Sequence, residues 1–210
     1  MQKGLFITFE GIDGCGKSTQ VEYFKSLMQQ NNIDFITVRE PGGTAISEKI
    51  RALLLDPENK EMTDEAEVLL FAAARAQLVR QVILPALNEG KHVLCDRFYD
   101  SSIAYQGYGR RIGADFVKNA NAYALESCTP DYTLFFDISP EAVRSRVLSR
   151  GECDRMENEQ AEFHNRVYMG YVELKKSCPG RIIPIDASGS IEEVNRKVLE
   201  VWKDIFTDAL

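Results

Sequence analysis

The 210-residue sequence predicts an α/β fold: a three-layer open sandwich with a five-stranded parallel sheet and helices on both faces. Three observations predict it. Strand-like and helix-like segments alternate from one end of the chain to the other. Most strand-like segments lack the polar alternation of a half-exposed sheet, as expected of strands covered on both faces. No internal repeat, low-complexity tract or linker-like stretch interrupts the pattern, so residues 1–210 read as one domain.

The elements follow in order. Residues 5–9 (LFITF) are a short β-prone run ended by a Gly-rich turn. Residues 16–30 carry Val21, Phe24, Leu27 and Met28 at a helical period. Residues 33–39 predict a second strand, broken by Pro41-Gly42-Gly43. A helix is expected over 47–55, stopped at Asp56-Pro57. Thr63-Asp64-Glu65-Ala66 opens like a capped helix that runs to about Asn88, with Gly90 in the C-cap region. Residues 92–95 predict a third strand ending at Asp96-Arg97. After further helix, strands are expected over 132–138 and 181–185, and the amphipathic stretch 191–206 closes the chain.

Composition narrows the function classes. A net charge of −7 argues against a large nucleic-acid footprint, while leaving room for a small anionic ligand held by local cations. Five cysteines, an odd number without a C-x-x-C pair, argue against a disulfide framework and a zinc site. They favour a reducing, cytoplasmic setting. No 18-residue apolar run is evident and the N-terminus does not read as a signal peptide, so no membrane partner is expected.

Between the first strand and the first helix, Gly11 to Ser18 match G-x-x-x-x-G-K-[ST]. Glycines let backbone N–H groups close around phosphate oxygens, and the helix N-terminus adds its dipole. ATP binding is therefore expected at Gly11, Ile12, Asp13, Gly14, Cys15, Gly16, Lys17, Ser18 and Thr19. Lys17 can reach the β- and γ-phosphates, and Ser18 offers a hydroxyl to Mg²⁺. A Gly-rich turn without a ligand is the bland alternative. Beside the backbone N–H groups and Lys17, the Cys15 thiolate is expected to be favoured.

Hydrolysis and transfer to a second substrate are then the two options. A guanine-reading N-K-x-D is missing; the nearest string is Asn59-Lys60-Glu61-Met62. Arginines near strand ends (Arg39, Arg97) and after the helix beyond the fourth strand (Arg150, Arg155) suit two phosphate-bearing ligands better than one. Each of them could instead be an ordinary solvated cation.

The blocks Glu10-Gly11-Ile12-Asp13-Gly14, Arg39-Glu40-Pro41-Gly42-Gly43-Thr44, Leu70-Phe71-Ala72-Ala73-Ala74-Arg75 and the run from Asp96 to Gly107, taken in this order, resemble bacterial thymidylate kinases. Pro130-Asp131, Arg150-Gly151 and Asp154-Arg155 extend the resemblance over nearly the whole chain. It implies a P-loop nucleoside monophosphate kinase fold and Mg²⁺-dependent transfer from ATP to dTMP, giving ADP and dTDP. It also implies that Phe71 stacks on thymine while Arg75, on the same helical face, binds the carbonyl edge. A core Phe71 and a solvated Arg75 are the alternative.

The resemblance further implies that Arg97 clamps the dTMP phosphate, with Arg39 also on the substrate. Asp96 would organise Mg²⁺ through water, unless it is only a helix cap. Asp13 would lie near sugar or phosphates, Ser102 and Tyr105 beside base and deoxyribose, and Gln106 behind that wall. The variable P-loop positions Ile12, Asp13, Gly14 and Cys15 lack a basic residue, so the chain is similar to the subclass whose lid carries the arginines. Here that lid spans about 146–157, with Arg150 and Arg155 expected to be catalytic alongside Lys17 and Arg97, and Arg146 nearby. A homodimer is implied as well.

Overall fold

The computed structural model describes residues 3–126, 128–143 and 154–206. Its strands are β1 (Phe6–Glu10), β2 (Phe35–Arg39), β3 (His92–Asp96), β4 (Tyr132–Asp137) and β5 (Ile182–Asp186). They pair in the order β2-β3-β1-β4-β5 and every pairing is parallel. The chain runs from β1 to β2 and β3 on one side, then to β4 and β5 on the other. The carboxyl end of β1 therefore sits at the reversal, where open α/β sheets bind their ligands.

Successive side chains of β1 face opposite ways. Phe6 joins a core with Leu78, Ile83, Val93 and Phe98, while Ile7 and Phe9 join the larger core with Phe24, Leu134 and Phe136. All five residues of β1 are buried. The interior Thr8 is satisfied by Thr133, with the two hydroxyls 2.7 Å apart. The outer strands are only partly buried. Pro184 lies in β5, an edge strand, where a missing N–H is tolerated.

The helices are α1 (Lys17–Gln30), α2 (Ala45–Leu55), α3 (Asp64–Leu78), α4 (Leu84–Asn88), α5 (Tyr99–Ser102), α6 (Ala114–Leu125), α7 (Ala161–Ser177) and α8 (Ile191–Phe206). Helix α2 starts earlier than its sequence pattern predicts, because the Thr44 hydroxyl caps the Ser47 N–H at 3.1 Å. Thr63 caps α3 in the same way through Ala66. The single helix expected up to Asn88 is interrupted by a π-helical stretch, Val79–Ile83, just before Pro85. Proline cannot supply an N–H to the helical ladder, and the register shifts ahead of it. A second π-helical stretch, Ile103–Gly109, continues from α5 and packs along α7.

Residues Asp64–Asn88 are long and apolar enough to cross a membrane by length and composition alone. Here they pack against α2 and α6, and they carry the buried Glu67 and Arg75. The stretch is a core helix of this fold.

Candidate active site

At the end of β1 the chain turns through Gly11, Gly14 and Gly16, with φ of 153°, 81° and 88°. These values strain any residue with a Cβ. At Gly11 crowding adds to this, since a Cβ would lie 2.9 Å from Cys15 Sγ and 3.0 Å from the Phe136 carbonyl. Helix α1 begins without a side-chain cap and without an acidic residue in its first turn. Its first N–H groups and its dipole are thus suited to an anion.

Lys17, just inside that helix, forms an ion pair with Asp96 at the end of β3. Lys17 is only 8% exposed, so its charge is held against a carboxylate rather than free in solvent. Cys15 departs from expectation. It is buried, and burial pushes its thiol up, outweighing the attraction of Lys17 and Arg97 for the thiolate. The helix N-terminus does not overcome desolvation here.

Beside the P-loop lies a cavity of about 210 Å³. Asp13, Arg39, Phe71, Arg75, Arg97, Ser102, Tyr105 and Gln106 all line it, as does Asp96. Phe71 is half-buried and presents its ring to this space. Arg75, one helical turn on, is fully buried. Its Nε donates to Glu40 Oε2 at 2.7 Å, and Nη2 donates to Ser102 Oγ at 2.9 Å and to the Phe98 carbonyl at 3.3 Å. Nη1 donates to Asn121. A guanidinium held on all sides is a fixed donor, since its planar fork cannot rotate without breaking several bonds.

Arg97 follows β3 with φ 63°, unusual for a residue with a side chain. Its hydrogen bonds compensate. Nη2 pairs with Asp13 at 2.5 Å, and Nη1 donates to the Gly11 carbonyl at 2.7 Å and to Tyr171 at 3.3 Å. The guanidinium lies over the Tyr105 ring, 5.1 Å from its centroid, and the Tyr105 hydroxyl donates to Asp13 at 2.6 Å. Burial would raise the Asp13 carboxyl, but Arg97, the Tyr105 hydroxyl and Lys17 together hold it below its ordinary value. Asp13 also lines a second cavity, of about 330 Å³, with Ile12, Val143 and His164. Asp13 and Glu157 line both spaces.

Arg39 pairs with Glu48 at 2.9 Å and donates to the Pro41 carbonyl at 3.2 Å. The same carbonyl receives Arg51 at 2.9 Å, and both arginines reach the cavity. Arg155, expected at the phosphates, is committed elsewhere: its Nε donates to the Leu54 carbonyl at 2.8 Å and its Nη2 pairs with Glu67 at 2.7 Å. A buried carboxylate outcompetes an open cavity for that guanidinium. Arg146 and Arg150 lie outside the described residues.

Sequence reasoning missed several residues of this site. Glu40 and Glu10 lie inside quoted blocks but received no role. Glu10 is fully buried at the end of β1, accepting the Phe98 N–H at 2.7 Å, Ser101 Oγ at 2.6 Å and the Tyr171 hydroxyl at 2.9 Å. A carboxylate inside an apolar strand is the signal that could have marked it. Arg51, Asn121 and Tyr171 carry no local signal, because only the fold brings Arg51 to the cavity, Asn121 to Arg75 and Tyr171 to Arg97 and Glu10.

A Gly-rich loop ahead of α1, beside a cavity lined by Phe71 and several arginines, is the geometry against which the relatives stand. A family model described as thymidylate kinase matches residues 9–198. A thymidylate kinase of Finegoldia magna is 50% identical over 199 residues, 95% of this chain and 98% of that relative. One from an Exiguobacterium species is 48% identical over 197 residues, 94% of this chain and 93% of the relative. The crystal structure of thymidylate kinase from Ehrlichia chaffeensis matches with a TM-score of 0.75 at 34% identity, covering 96% of this chain and 99% of that one. The chain belongs to the thymidylate kinase family.

Proposed function

We propose how this family's reaction, phosphorylation of dTMP to dTDP by ATP, is distributed over the chain's residues. The observation that carries the reading is that Phe71 and Arg75, from one face of α3, line a cavity together with Asp13 of the P-loop. A pyrimidine stacked on Phe71 meets Arg75 at its carbonyl edge, with Ser102 beside it. The nucleotide's phosphate then lies toward Arg97, Arg39 and Arg51. ATP lies along Gly11 to Thr19, with Lys17 on the β- and γ-phosphates.

Phosphoryl transfer needs little covalent help, so positioning and charge neutralisation do most of the work. Arg97, fixed by four partners, neutralises the acceptor phosphate as it attacks. Tyr105, pinned by Asp13 and Arg97, forms the wall against the sugar. Arg150 is assigned to the moving phosphoryl group, and its replacement by alanine should lower kcat more than it raises KM for dTMP.

Mg²⁺ fits the donors present. Ser18 lies in the first turn of α1 and would offer its hydroxyl, and Asp96 at the end of β3 would hold the ion through water. Among the described residues no group of three or more His, Cys, Asp or Glu could cage a metal, and Mg²⁺ shared between phosphates and water needs none. When bound, the ion neutralises charge on the β- and γ-phosphates.

Two further readings complete the proposal. Exposed Leu53 on α2, Leu69 on α3 and Tyr123 on α6 support a homodimer through these helices, since α3 packs between α2 and α6. Cysteine usage supports a cytosolic setting. The test of function is ADP release with Mg²⁺-ATP, measured with and without dTMP. Release that depends on dTMP and falls sharply with dCMP supports the assignment. Equal release without an acceptor would overturn it.

A further inference from the structure

We propose that Glu67 is a positioning residue: it bolts residues 154–156, the end of the expected lid segment, onto α3 and so builds a further wall of the substrate cavity. This rests on the reading of that cavity as the dTMP site.

Glu67 is fully buried, yet three side chains from distant parts of the chain converge on it, two by hydrogen bonds to Oε1 (Gln106 and Arg110) and Arg155 by an ion pair. Gln106 Nε2, in the π-helical stretch, donates to Oε1 at 2.8 Å. Arg110 pairs through Nη2 with Oε2 at 3.1 Å, and Arg155 through Nη2 with the same oxygen at 2.7 Å. Two guanidinium groups, 12% and 11% exposed, thus share one carboxylate. Arg110 also pairs with Glu159 and Asp64, whereas the ion pair found for Arg155 among the described residues is the one with Glu67, so it is Arg155 that depends on this anion.

Arg155 is held by its backbone too, because its N–H donates to the Leu55 carbonyl at 3.2 Å. Its neighbours Asp154 and Met156 line the cavity, and Met156 is otherwise buried. Fixing Arg155 therefore fixes these two side chains. Glu67, Phe71 and Arg75 recur every four residues along α3, which puts them on one stripe of the helix. A single helical face thus carries the lid anchor, the stacking ring and the base-reading guanidinium. Movement of the anchor is transmitted to the pocket without any contact between Glu67 and substrate.

The consequence is specific. A slack wall weakens dTMP binding in the ground and transition states alike, which raises KM while kcat changes less. A general structural lesion would reduce the active fraction and leave KM alone. A catalytic Arg155 would show as a kcat loss at constant KM.

The experiment compares the full-length wild-type chain with Glu67→Gln and Arg155→Met. Steady-state kinetics are combined with hydrogen exchange of the peptide containing Arg155. The expected result is a rise in KM for dTMP of about tenfold, with KM for ATP within about twofold. Exchange near Arg155 should accelerate while β1 stays protected. If Glu67→Gln does not fold, Arg155→Met carries the test, since it leaves Glu67 paired with Arg110 and Gln106. Wild-type KM and wild-type exchange in a folded variant would overturn the proposal, as would a kcat loss with unchanged KM. Wild-type protein without dTMP-dependent turnover would instead refute the assignment of the cavity.

Discussion

Glu40 and Arg75 form a buried ion pair, 2.7 Å from Nε to Oε2, in the lining of the cavity beside the P-loop. The other oxygen of Glu40, Oε1, is buried without a hydrogen-bond partner among the described residues. Burial pushes the Glu40 carboxyl up to about 7, with Arg75 opposing the shift only in part. The charge that holds the Arg75 guanidinium in place therefore titrates near neutrality.

This makes a two-sided prediction. Below pH 7 Glu40 is neutral in the folded chain, Arg75 loses its counter-charge, and KM for dTMP should rise as pH falls from about 8 to 6. Stability should run the other way. The folded value lies above the unfolded 4.5, so the folded state holds the extra proton and this group's contribution is lost as pH rises toward 7. Glu40→Gln should flatten both profiles. A pH-dependent KM that survives in Glu40→Gln would assign the titration to another group.

Lys17→Met should reduce kcat by about a hundredfold or more, the scale of removing one electrostatic stabiliser from a transition state. The fold should persist. Lys17 is buried against Asp96, but the Asp96 side chain is 30% exposed and can rehydrate when its partner is removed. Circular dichroism and a thermal melt would separate lost chemistry from lost structure. Near-normal turnover in a folded variant would remove Lys17 from the mechanism.

The contrast between Lys17 and Arg155 shows what was legible in the sequence. The P-loop could be read because its spacing is local: one turn must provide glycines, lysine and hydroxyl in a fixed order. The parallel sheet was equally legible, because burial on both faces leaves an apolar run in each inner strand. The partners of Arg155 were not legible. Glu67 and Leu54 lie far from it in sequence, and only the packing of α3 decides which cation a buried carboxylate captures. The same holds for Asn121 under Arg75 and Tyr171 beside Glu10. Cys15 failed for a different reason, because sequence showed its charged neighbours but not its burial.

Tyr105 should set the sugar preference. Its ring is clamped between the Arg97 guanidinium and Phe163, whose ring centroid lies 6.2 Å away, and its hydroxyl is tied to Asp13. Tyr105→Ala opens the space beside C2′, so ribothymidylate should become a usable substrate while activity on dTMP falls. Tyr105→Phe keeps the wall and loses only the tie to Asp13, so it should retain the discrimination. The ratio of kcat/KM for the two nucleotides reads the effect directly. An unchanged ratio in Tyr105→Ala would place the sugar wall elsewhere.

Asp100 lies within the same block as Arg97, Ser102 and Tyr105, yet its partners are structural. Arg181 grips it with two donors, Nη1 to Oδ2 at 2.6 Å and Nη2 to Oδ1 at 2.8 Å, and Nη1 also reaches Thr133 at 2.7 Å. The pair ties α5 to the start of β5 across β4. Asp100 is only 1% exposed, so Arg181→Ala would leave a carboxylate in the interior without its counter-charge. Breaking a buried pair from one side costs about 3–5 kcal/mol. In a chain of this size that lowers Tm by roughly 10 °C or more. Asp100→Asn should cost less. It removes the interior charge, keeps the side-chain shape, and leaves Arg181, 19% exposed, able to reach water. Neither variant touches the cavity, so KM for dTMP below the melting range should stay within about twofold of wild type. Thermal melts with kinetics at low temperature would check both halves. A Tm that does not change in Arg181→Ala, or a KM that rises with it, would give Asp100 a role other than holding these elements together.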